Sequence, residues 1–189
     1  SGLIAAKLAA TFSSVGTPSF NISASDCSHG DLGSITKKDL VILISNSGNS
    51  EELKNIIKFT NRHKIKLIGI VSKKNSILYK ASDIRLLIPE SQEAGFGIVP
   101  TTSTTMQLAI GDALAISVMN YKKFDKLDFK KFHPAGSLGK KLKTAEDLMT
   151  VKEKIPFINE NEIIKNGLKV LNAKKLGVLI ARNSKKETT

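Results

Sequence analysis

The chain has few of the residues that form disulfides or stack on nucleic-acid bases. Its 189 residues include one cysteine, Cys27, no tryptophan and two tyrosines. A single cysteine excludes a disulfide within the chain and is typical of a protein kept in a reducing compartment. Two tyrosines without tryptophan offer little aromatic surface for stacking bases.

Long hydrophobic runs are missing as well. No stretch reaches the roughly 18 consecutive apolar residues of a membrane-spanning helix. The first residues also lack the basic and apolar pattern of a secretory signal. We therefore expect a cytoplasmic protein that has no membrane partner.

Acidic residues are outnumbered, with 17 Asp and Glu against 29 Lys and Arg and a net charge of +12. Residues 122–189 hold 17 of the basic and 8 of the acidic residues, so +9 of the total lies there. The lysines are scattered rather than arranged in a stripe, unlike a nucleic-acid-binding surface. We interpret the excess as compositional bias and predict no nucleic-acid partner.

Short apolar runs alternate with helix signals along most of the chain. Strands are predicted near residues 19–22, 40–44, 67–71 and 84–88, and helices at 1–15, 50–62, 76–81 and 106–121. Farther along, a helix is predicted near 162–171 and a strand near 177–181. Four apolar residues in a row at 41–44 suit a strand buried on both faces of a parallel sheet. The alternation predicts an α/β fold, a doubly wound parallel sheet flanked by helices in a flavodoxin-like sandwich. Ligands of such sheets bind outside the carboxyl ends of the strands.

The segment after the apolar run at 41–44 is rich in hydroxyl groups. Residues 45–52 read SNSGNSEE and lead into a helix predicted to begin at about Ser50, with Ser50 as its N-cap. Backbone N–H groups at a helix N-terminus, next to serines and a glycine, can bind an anion such as a phosphate monoester. The segment is neither a Walker loop nor a GxGxxG motif. The alternative interpretation is an ordinary strand-to-helix connection.

A second hydroxyl cluster, TTSTT at residues 101–105, follows Pro100 and opens the helix predicted over 106–121. Proline followed by Thr or Ser is typical of a helix start. Two hydroxyl-rich helix N-termini can converge on one phosphate group. The alternative is two unrelated caps, because Ser and Thr favour that position in any helix.

These two clusters, with SHGDLG at residues 28–33 and HPAGSLGKKL at 133–142, resemble the sugar isomerase (SIS) domain family. Within it they are similar to the arabinose-5-phosphate isomerases, and the last two segments are the more specific to that branch. The resemblance implies an SIS domain over residues 1–142 and a partial CBS-like α+β segment over 143–189. It also implies that a glycine-rich strand end carrying Gly-Lys precedes Ser1, so that the first strand lies outside this sequence.

The resemblance implies an isomerase that interconverts ribulose 5-phosphate and arabinose 5-phosphate through an enediol and feeds Kdo and lipopolysaccharide biosynthesis. Its expected partners are a sugar phosphate and further copies of the chain, as a dimer or a homotetramer with sites at subunit contacts. No cofactor and no metal are implied, since three scattered histidines and one cysteine offer no close ligand spacing. Two alternatives stay open: a phosphosugar-sensing regulatory SIS module, and an isomerase of another sugar phosphate.

An enediol reaction needs a base that moves a proton between C1 and C2, and a group that shuttles the hydroxyl proton. The catalytic candidates that the resemblance implies are His133, Glu52, Glu93 and His29. The residues expected to contact the substrate or its phosphate are Ser45, Ser47, Ser50, Ser1, Gly16, Thr17, Thr102, Ser103 and Thr105. Without the resemblance, Glu52 is interpreted as a surface glutamate favoured by the helix dipole, Glu93 as a solvated loop carboxylate and His29 as a loop histidine.

Overall fold

The computed structural model describes residues 2–133 and 143–188, which fall into two units, Ser1–Pro134 and Ala135–Thr189. The helices of the first unit are α1 (Gly2–Ser14), α2 (Leu53–His63), α3 (Ile77–Ala81), α4 (Gly95–Ile98), α5 (Thr102–Tyr121) and α6 (Lys126–Phe132). Its strands are β1 (Leu40–Ile44), β2 (Lys66–Val71) and β3 (Ile84–Leu87), and two 3-10 turns cover Asp26–His29 and Asp31–Ser34.

The three strands form a parallel sheet in the order β1-β2-β3. Leu40 pairs with Lys66, and Ile68 pairs with Ile84. Helix α2 connects β1 to β2 and helix α3 connects β2 to β3, as parallel pairing requires. The predicted α/β sandwich with a parallel sheet is confirmed, and the three predicted strands at 40–44, 67–71 and 84–88 agree with the structure to within one residue.

Helices cover both faces of this sheet. On one face α2 and α3 form a core with alternate strand residues, whose buried members are Cys27, Leu43, Leu53, Ile56, Ile57, Leu67, Val71 and Leu78. On the other face α1 and α5 enclose the core of Ile4, Leu8, Phe12, Ile44, Ile70, Ile88 and Ala115. The side chains of successive strand residues thus pack into opposite cores, which explains the uninterrupted apolar run at 41–44.

Helices α1 and α5 run side by side in the same direction. Lys7, in the middle of α1, forms an ion pair with Asp112, while Gly16, just beyond the end of α1, accepts a hydrogen bond from Lys122. Next to the Lys7–Asp112 ion pair, a Cβ on Gly111 would lie 3.0 Å from a methyl carbon of Leu8, so the two helices pack closely there. Both helices therefore begin at one edge of the sheet and end at the other.

The strand predicted near residues 19–22 is absent, and that prediction is wrong. Residues 17–23 have no regular secondary structure, and Phe20 is 61% exposed. Within the described residues β1 pairs with β2 only, so its outer edge has no neighbouring strand. An extended segment needs a pairing partner to become a strand, and residues 19–22 have none in this sheet.

The second unit is smaller. Its described elements are α7 (Ala145–Leu148), β4 (Phe157–Asn159), α8 (Ile164–Lys174) and β5 (Ile180–Arg182), with a 3-10 turn at Lys152–Lys154. Strands β4 and β5 pair in parallel, so α8 is the crossover of one β-α-β motif. The helix predicted near 162–171 and the strand predicted near 177–181 are confirmed, with bounds shifted toward the C-terminus.

Candidate functional site

The loop after β1 is shaped by backbone hydrogen bonds and one glycine. The N–H of Ser45 donates to the Ile70 carbonyl oxygen at 3.0 Å, which extends the β1–β2 pairing by one residue. The buried Ser45 hydroxyl accepts a hydrogen bond from the Gly48 N–H at 3.1 Å. Gly48 has a φ of +66°, and a Cβ there would lie 2.4 Å from Ser76 Oγ. This turn therefore requires glycine.

The connection between β2 and α3 holds the same loop from the other side. The N–H and the hydroxyl of Ser72 donate to the Asn46 carbonyl oxygen at 3.1 and 2.6 Å. The N–H of Leu78 donates to the Gly48 carbonyl oxygen at 3.0 Å, and the Ile77 N–H donates to the Asn49 side chain at 3.0 Å. The loop is thus fixed before any ligand binds, which lowers the ordering cost of binding.

The helix after the loop begins three residues later than the sequence predicts. Helix α2 starts at Leu53 with Glu52 at its N-cap position, so the prediction of Ser50 as N-cap is wrong. Residues 50–53 form a tight turn instead, in which the Leu53 N–H donates to the Ser50 carbonyl oxygen at 3.2 Å. This turn lengthens the loop and leaves Ser50 exposed beside Ser47.

The loop carries the donors that an anion needs. Among the described residues, no partner is found for the N–H groups of Ser47, Ser50, Glu51 and Glu52. Ser47 and Ser50 also present exposed hydroxyl groups. Several N–H groups and two hydroxyls on one turn can donate to the oxygens of a phosphate group. The loop is therefore a candidate anion site.

Two carboxylates lie on the same turn. Glu51 is paired with Lys54 at 2.7 Å, whereas no partner of the Glu52 carboxylate is found among the described residues. Glu52 is exposed at the first residue before α2. Its carboxylate is consequently available to a molecule held by the loop, as a proton acceptor or a hydrogen-bond acceptor.

The N-terminus of α5 is already occupied by a carboxylate. One oxygen of Glu93 accepts hydrogen bonds from the N–H and hydroxyl of Thr101 at 2.9 and 3.2 Å and from the Ser103 N–H at 3.2 Å. Hydrogen bonds from Ser103 and Thr101 lower the pKa of Glu93 to about 2. Glu93 therefore acts as the cap of α5, and a group with so low a pKa is a weak base at neutral pH.

The hydroxyl groups of the TTSTT cluster mostly serve its own helix. Those of Thr104 and Thr105 donate to the Thr101 carbonyl oxygen at 2.8 and 3.0 Å, and Ser103 is buried against Glu93. Thr102 is half-buried. Thr104 lines the same long cavity as Ser45, Ser50 and Glu52. Thr104 was not among the predicted site residues, whereas its neighbours Ser103 and Thr105 were. A run of five hydroxyl residues does not indicate which of them faces the cavity.

His29 is exposed in the first of the two 3-10 turns. The adjacent Ser28 hydroxyl accepts a hydrogen bond from the Asn55 side chain at 2.9 Å. Asn55 lies on α2 three residues after Glu52, so this bond places the His29 turn beside the start of α2. The structure thus brings His29 to the neighbourhood of the loop at 45–52.

Gly16 and Thr17 lie elsewhere. They follow the end of α1, where Lys122 donates to the Gly16 carbonyl oxygen and to the Thr17 hydroxyl. Lys122 follows the last residue of α5, whereas the start of α5 is bonded to Glu93, in the connection that follows the carboxyl end of β3. Because α5 has 20 residues and spans about 30 Å, the structure separates Gly16 and Thr17 from the serine loop by the depth of the sheet.

His133 lies at that same far end. It follows α6, whose Phe132 ring stacks 5.9 Å from Phe124, and the Phe124 side chain in turn packs on Gly16. The His133 ring stacks on Phe129 at 3.8 Å, and its Nδ1 lies 2.9 Å from the Phe129 carbonyl oxygen. A carbonyl oxygen only accepts, so Nδ1 is the donor in this bond, and in the neutral ring Nε2 is the acceptor. Within one chain the His133 and Glu52 side chains therefore do not lie in the same site.

Two further predictions concern residues that lie partly or wholly outside the described ranges. Ser1 lies outside them, as does the HPAGSLGKKL segment apart from His133. In residues 2–133 and 143–188, no group of three His, Cys, Asp or Glu side chains is arranged to hold a metal ion. Across the same residues, no helix has the length and apolar character needed to span a bilayer.

The chain is similar to known proteins over most of its length. Residues 1–117 match the family model described as SIS domain. An arabinose 5-phosphate isomerase of Yersinia pestis, KdsD, is 43% identical over 182 residues, which cover 95% of this chain and 56% of the relative. An uncharacterized protein of Rickettsia prowazekii is 42% identical over 177 residues, with 94% and 56% covered. The chain thus spans little more than half the length of the curated relatives it matches.

A solved structure shares the same architecture. An E. coli CFT073 protein in complex with A5P matches this chain with a TM-score of 0.68 and 42% sequence identity, covering 71% of this chain and 72% of that one. The parallel sheet, the serine loop at its carboxyl edge and these matches agree with one another. The chain therefore belongs to the SIS domain family.

Proposed function

We propose that the full-length protein is an aldose–ketose isomerase that interconverts ribulose 5-phosphate and arabinose 5-phosphate in the cytoplasm, for Kdo and lipopolysaccharide biosynthesis. The observation that carries the proposal is the 42% identity to a protein solved in complex with A5P, together with a pre-formed serine loop. The 43% identity to an arabinose 5-phosphate isomerase over 95% of this chain supports it further.

In this proposal the phosphate group binds the loop at residues 45–52. The free N–H groups of the loop and the hydroxyls of Ser47 and Ser50 donate to the phosphate oxygens. Ser45 shapes the turn from within, since its hydroxyl holds the Gly48 N–H. Because Glu51 and Glu52 add negative charge to this turn, we expect a cation from outside the described residues to complete the phosphate site.

Glu52 is the proposed base. A base removes a proton from C1 of the ketose while the C2 oxygen gains a proton, which gives the cis-enediol. Return of a proton to C2 and loss of the proton on the C1 oxygen then give the aldose. The Glu52 carboxylate suits the transfer between C1 and C2, because it is exposed beside the loop.

His133 is the proposed acid and base for the hydroxyl protons, through its Nε2 atom. Since His133 and Glu52 lie at opposite ends of α5 within one chain, we propose that His133 reaches the site of a neighbouring subunit in a homotetramer or dimer. Glu93 is proposed to fix the start of α5, with Thr104 facing the sugar and Thr102, Ser103 and Thr105 supporting it. His29 is proposed to contact sugar hydroxyls from its turn beside α2.

We also propose the domain division implied by the resemblance, with an SIS domain over 1–142 and a CBS-like segment over 143–189. Its support is the β4–α8–β5 motif, which leaves large apolar side chains such as Ile164 and Leu168 83% and 59% exposed. Exposed apolar surface of this extent is typical of a partial domain that another segment of the full-length protein covers.

The test is turnover of ribulose 5-phosphate by the full-length protein, followed as formation of arabinose 5-phosphate, beside its His133→Ala variant. We expect measurable turnover that falls by about 10²–10⁴-fold in the variant, the usual contribution of a general acid or base. A Lys126→Ala variant, at the exposed first residue of α6, serves as control for effects on that helix. If the protein binds the phosphosugar and never converts it, the isomerase proposal fails and a sensing role replaces it.

A further inference from the structure

The side chain of His133 caps the helix that precedes it. The backbone N–H of His133 donates to the Lys130 carbonyl oxygen at 3.1 Å, and the ring Nδ1 lies 2.9 Å from the Phe129 carbonyl oxygen. The Phe129 carbonyl is one of the last four of α6, and such carbonyls need partners from outside the regular helical pattern. The imidazole Nδ1–H therefore supplies a hydrogen bond that the end of the helix lacks.

The Phe129 side chain holds the same imidazole from its face. The two ring centroids are 3.8 Å apart, and the ring planes are inclined by 12°. Carbon atoms in van der Waals contact lie about 3.5–4.0 Å apart, so the two rings lie face to face with little lateral offset. A hydrogen bond in the plane of the imidazole and a stack across its face together restrict rotation about both side-chain torsions.

A second phenylalanine and histidine pair has the same spacing and lacks this geometry. His63 is the last residue of α2 and follows Phe59 by four positions, but these two rings are tilted by 46° with centroids 4.5 Å apart. In the part of the chain that the structure describes, the His63 ring nitrogens have no hydrogen-bond partner. The arrangement at His133 is therefore a property of the end of α6 and does not follow from sequence spacing alone.

Helix α6 is also fixed at its start. The Asp125 carboxylate accepts hydrogen bonds from the N–H groups of Leu127 and Asp128 at 2.8 and 2.9 Å, and the Asp128 carboxylate accepts one from the Asp125 N–H at 3.3 Å. A helix of seven residues is marginal without such caps. With both ends capped, α6 holds the Phe129 carbonyl and ring in place beneath the imidazole.

A fixed ring suits the two transfers of hydroxyl protons proposed for His133. In the first, Nε2 of the imidazolium gives its proton to the C2 oxygen while the base removes the proton on C1. In the second, Nε2 takes the proton of the C1 hydroxyl while the base returns its proton to C2. Nδ1 keeps its own proton in both states of the ring, so its hydrogen bond to the Phe129 carbonyl persists. The imidazole does not have to turn between the two steps.

We propose that Phe129 is a positioning residue for His133. Its carbonyl oxygen keeps the neutral imidazole in the Nδ1–H tautomer, and its side chain holds the ring plane so that Nε2 is presented to the substrate hydroxyls. The catalytic consequence rests on the proposed isomerase function. The tautomer and the ring orientation rest on the contacts at the end of α6.

The first experiment determines the tautomer of His133 in the full-length protein from the NMR nitrogen shifts of its ring, at about pH 9, where histidine is ordinarily neutral. The spectrum of His133→Ala identifies the signals. We expect the shift of a protonated nitrogen at Nδ1 and that of an unprotonated nitrogen at Nε2, whereas His63, the internal reference, shows a mixture of tautomers. Phe129→Leu should move His133 toward such a mixture, and Phe129→Tyr, which keeps an aromatic ring, should not.

Turnover of ribulose 5-phosphate gives a second readout. We expect Phe129→Leu to lower kcat roughly 10-fold at an unchanged KM, since the orientation of an acid or base matters in the transition state more than in substrate binding. Phe129→Tyr should retain most of the parental kcat. Phe132→Leu is the matched control, because it removes the other stacked ring of α6 and leaves the Phe129 stack intact.

Two outcomes overturn the proposal. One is a neutral His133 ring that carries its proton on Nε2 in the parent protein. The other is a Phe129→Leu variant whose His133 tautomer and kcat equal those of Phe132→Leu. Because the tautomer is measured without turnover, a protein that has the Nδ1–H tautomer and no isomerase activity confirms the ring geometry and contradicts only the isomerase proposal.

Discussion

The Glu93 carboxylate accepts a hydrogen bond from the Thr101 N–H at 2.9 Å, across a loop of seven intervening residues. With the further bonds from Ser103, this contact closes the loop onto the first turn of α5. A negative charge at a helix N-terminus is also favoured by the helix dipole. The same position was expected to bind the phosphate of a substrate, and Glu93 fills it with the protein's own anion.

Glu93 should make stability depend on pH in an acidic window. Its folded pKa of about 2 lies below the ordinary value of 4.5, so the carboxylate stabilises the folded state above pH 4.5. That stabilisation is lost as the pH falls from 4.5 toward 2. We expect Glu93→Gln to be less stable than the parent at pH 7 and the difference to shrink across this window. Urea unfolding at several pH values measures it, with Glu90→Gln as control in the same loop. A constant difference between pH 7 and pH 2 would contradict the assignment.

Gly48→Ala should destabilise the protein by about 1–3 kcal/mol, because φ is +66° and the new Cβ meets Ser76 and Val71 at 2.4 and 2.6 Å. The measurement is the free energy of unfolding from a denaturant titration. Gly33→Ala is the matched control, since a Cβ there meets no atom within 4 Å. Equal stability of the two variants would show that the turn at Gly48 tolerates a side chain. Phosphosugar affinity should fall in Gly48→Ala alone.

Mixing two inactive variants tests whether sites are shared between subunits. Suppose that Glu52 of one subunit works with His133 of another in a dimer. Full-length Glu52→Gln and His133→Ala chains, co-refolded in equal amounts, should then regain about a quarter of parental turnover. Half of the dimers are mixed in a statistical mixture, and each mixed dimer has one intact site of its two. The control is a mixture of His133→Ala with His133→Gln, which restores no site. Absence of recovery in the first mixture would place both groups in one subunit or neither in the reaction.

Cys27 should be inert to thiol reagents in the folded protein. It is 1% exposed, and burial raises its pKa above the ordinary value of 9.0, with the negative charges of Asp31 and Asp26 raising it further. At pH 8 we expect labelling at least roughly 10²-fold slower than in denaturant, since the thiolate is the reactive form. Ser34→Cys, at an exposed position, supplies a reference thiol that labels rapidly. Comparable rates for the two thiols would mean that the core around Cys27 opens readily.

The sheet was predictable because its strands are short apolar runs, each followed by a helix signal. Residues 40–44, 66–71 and 84–87 differ from the prediction by one residue at most. Residues 19–22 have a similar local pattern and remain irregular. A strand depends on its neighbour as well as on its own residues, and sequence pattern alone does not reveal whether the neighbour is present.

The candidate site was predictable in its loop and less so in its surroundings. Serines and a glycine between a buried strand and a helix identify residues 45–52 from local chemistry alone. By contrast, the hydrogen bond that the Thr101 N–H donates to Glu93 joins residues eight positions apart. The loop between them has no repeating pattern from which this contact could be predicted. The separation of Glu52 from His133 depends on the parallel course of α1 and α5, a tertiary relationship that no local motif records. The roles assigned to these residues remain predictions until the variants are measured.

The two cores of the first unit differ in how far apart their members lie along the chain. The core on the α2 and α3 face joins segments between Cys27 and Leu78, so it needs only short loops to close. The core on the α1 and α5 face joins Ile4 to Ala115, and the ion pair of Lys7 with Asp112 spans 105 positions. Contacts between distant segments form slowly, because a long loop must close first. During synthesis the N-terminal part of the chain leaves the ribosome first. The core on the α2 and α3 face can therefore assemble early, whereas the apolar side of α1 stays uncovered until α5 has been synthesised.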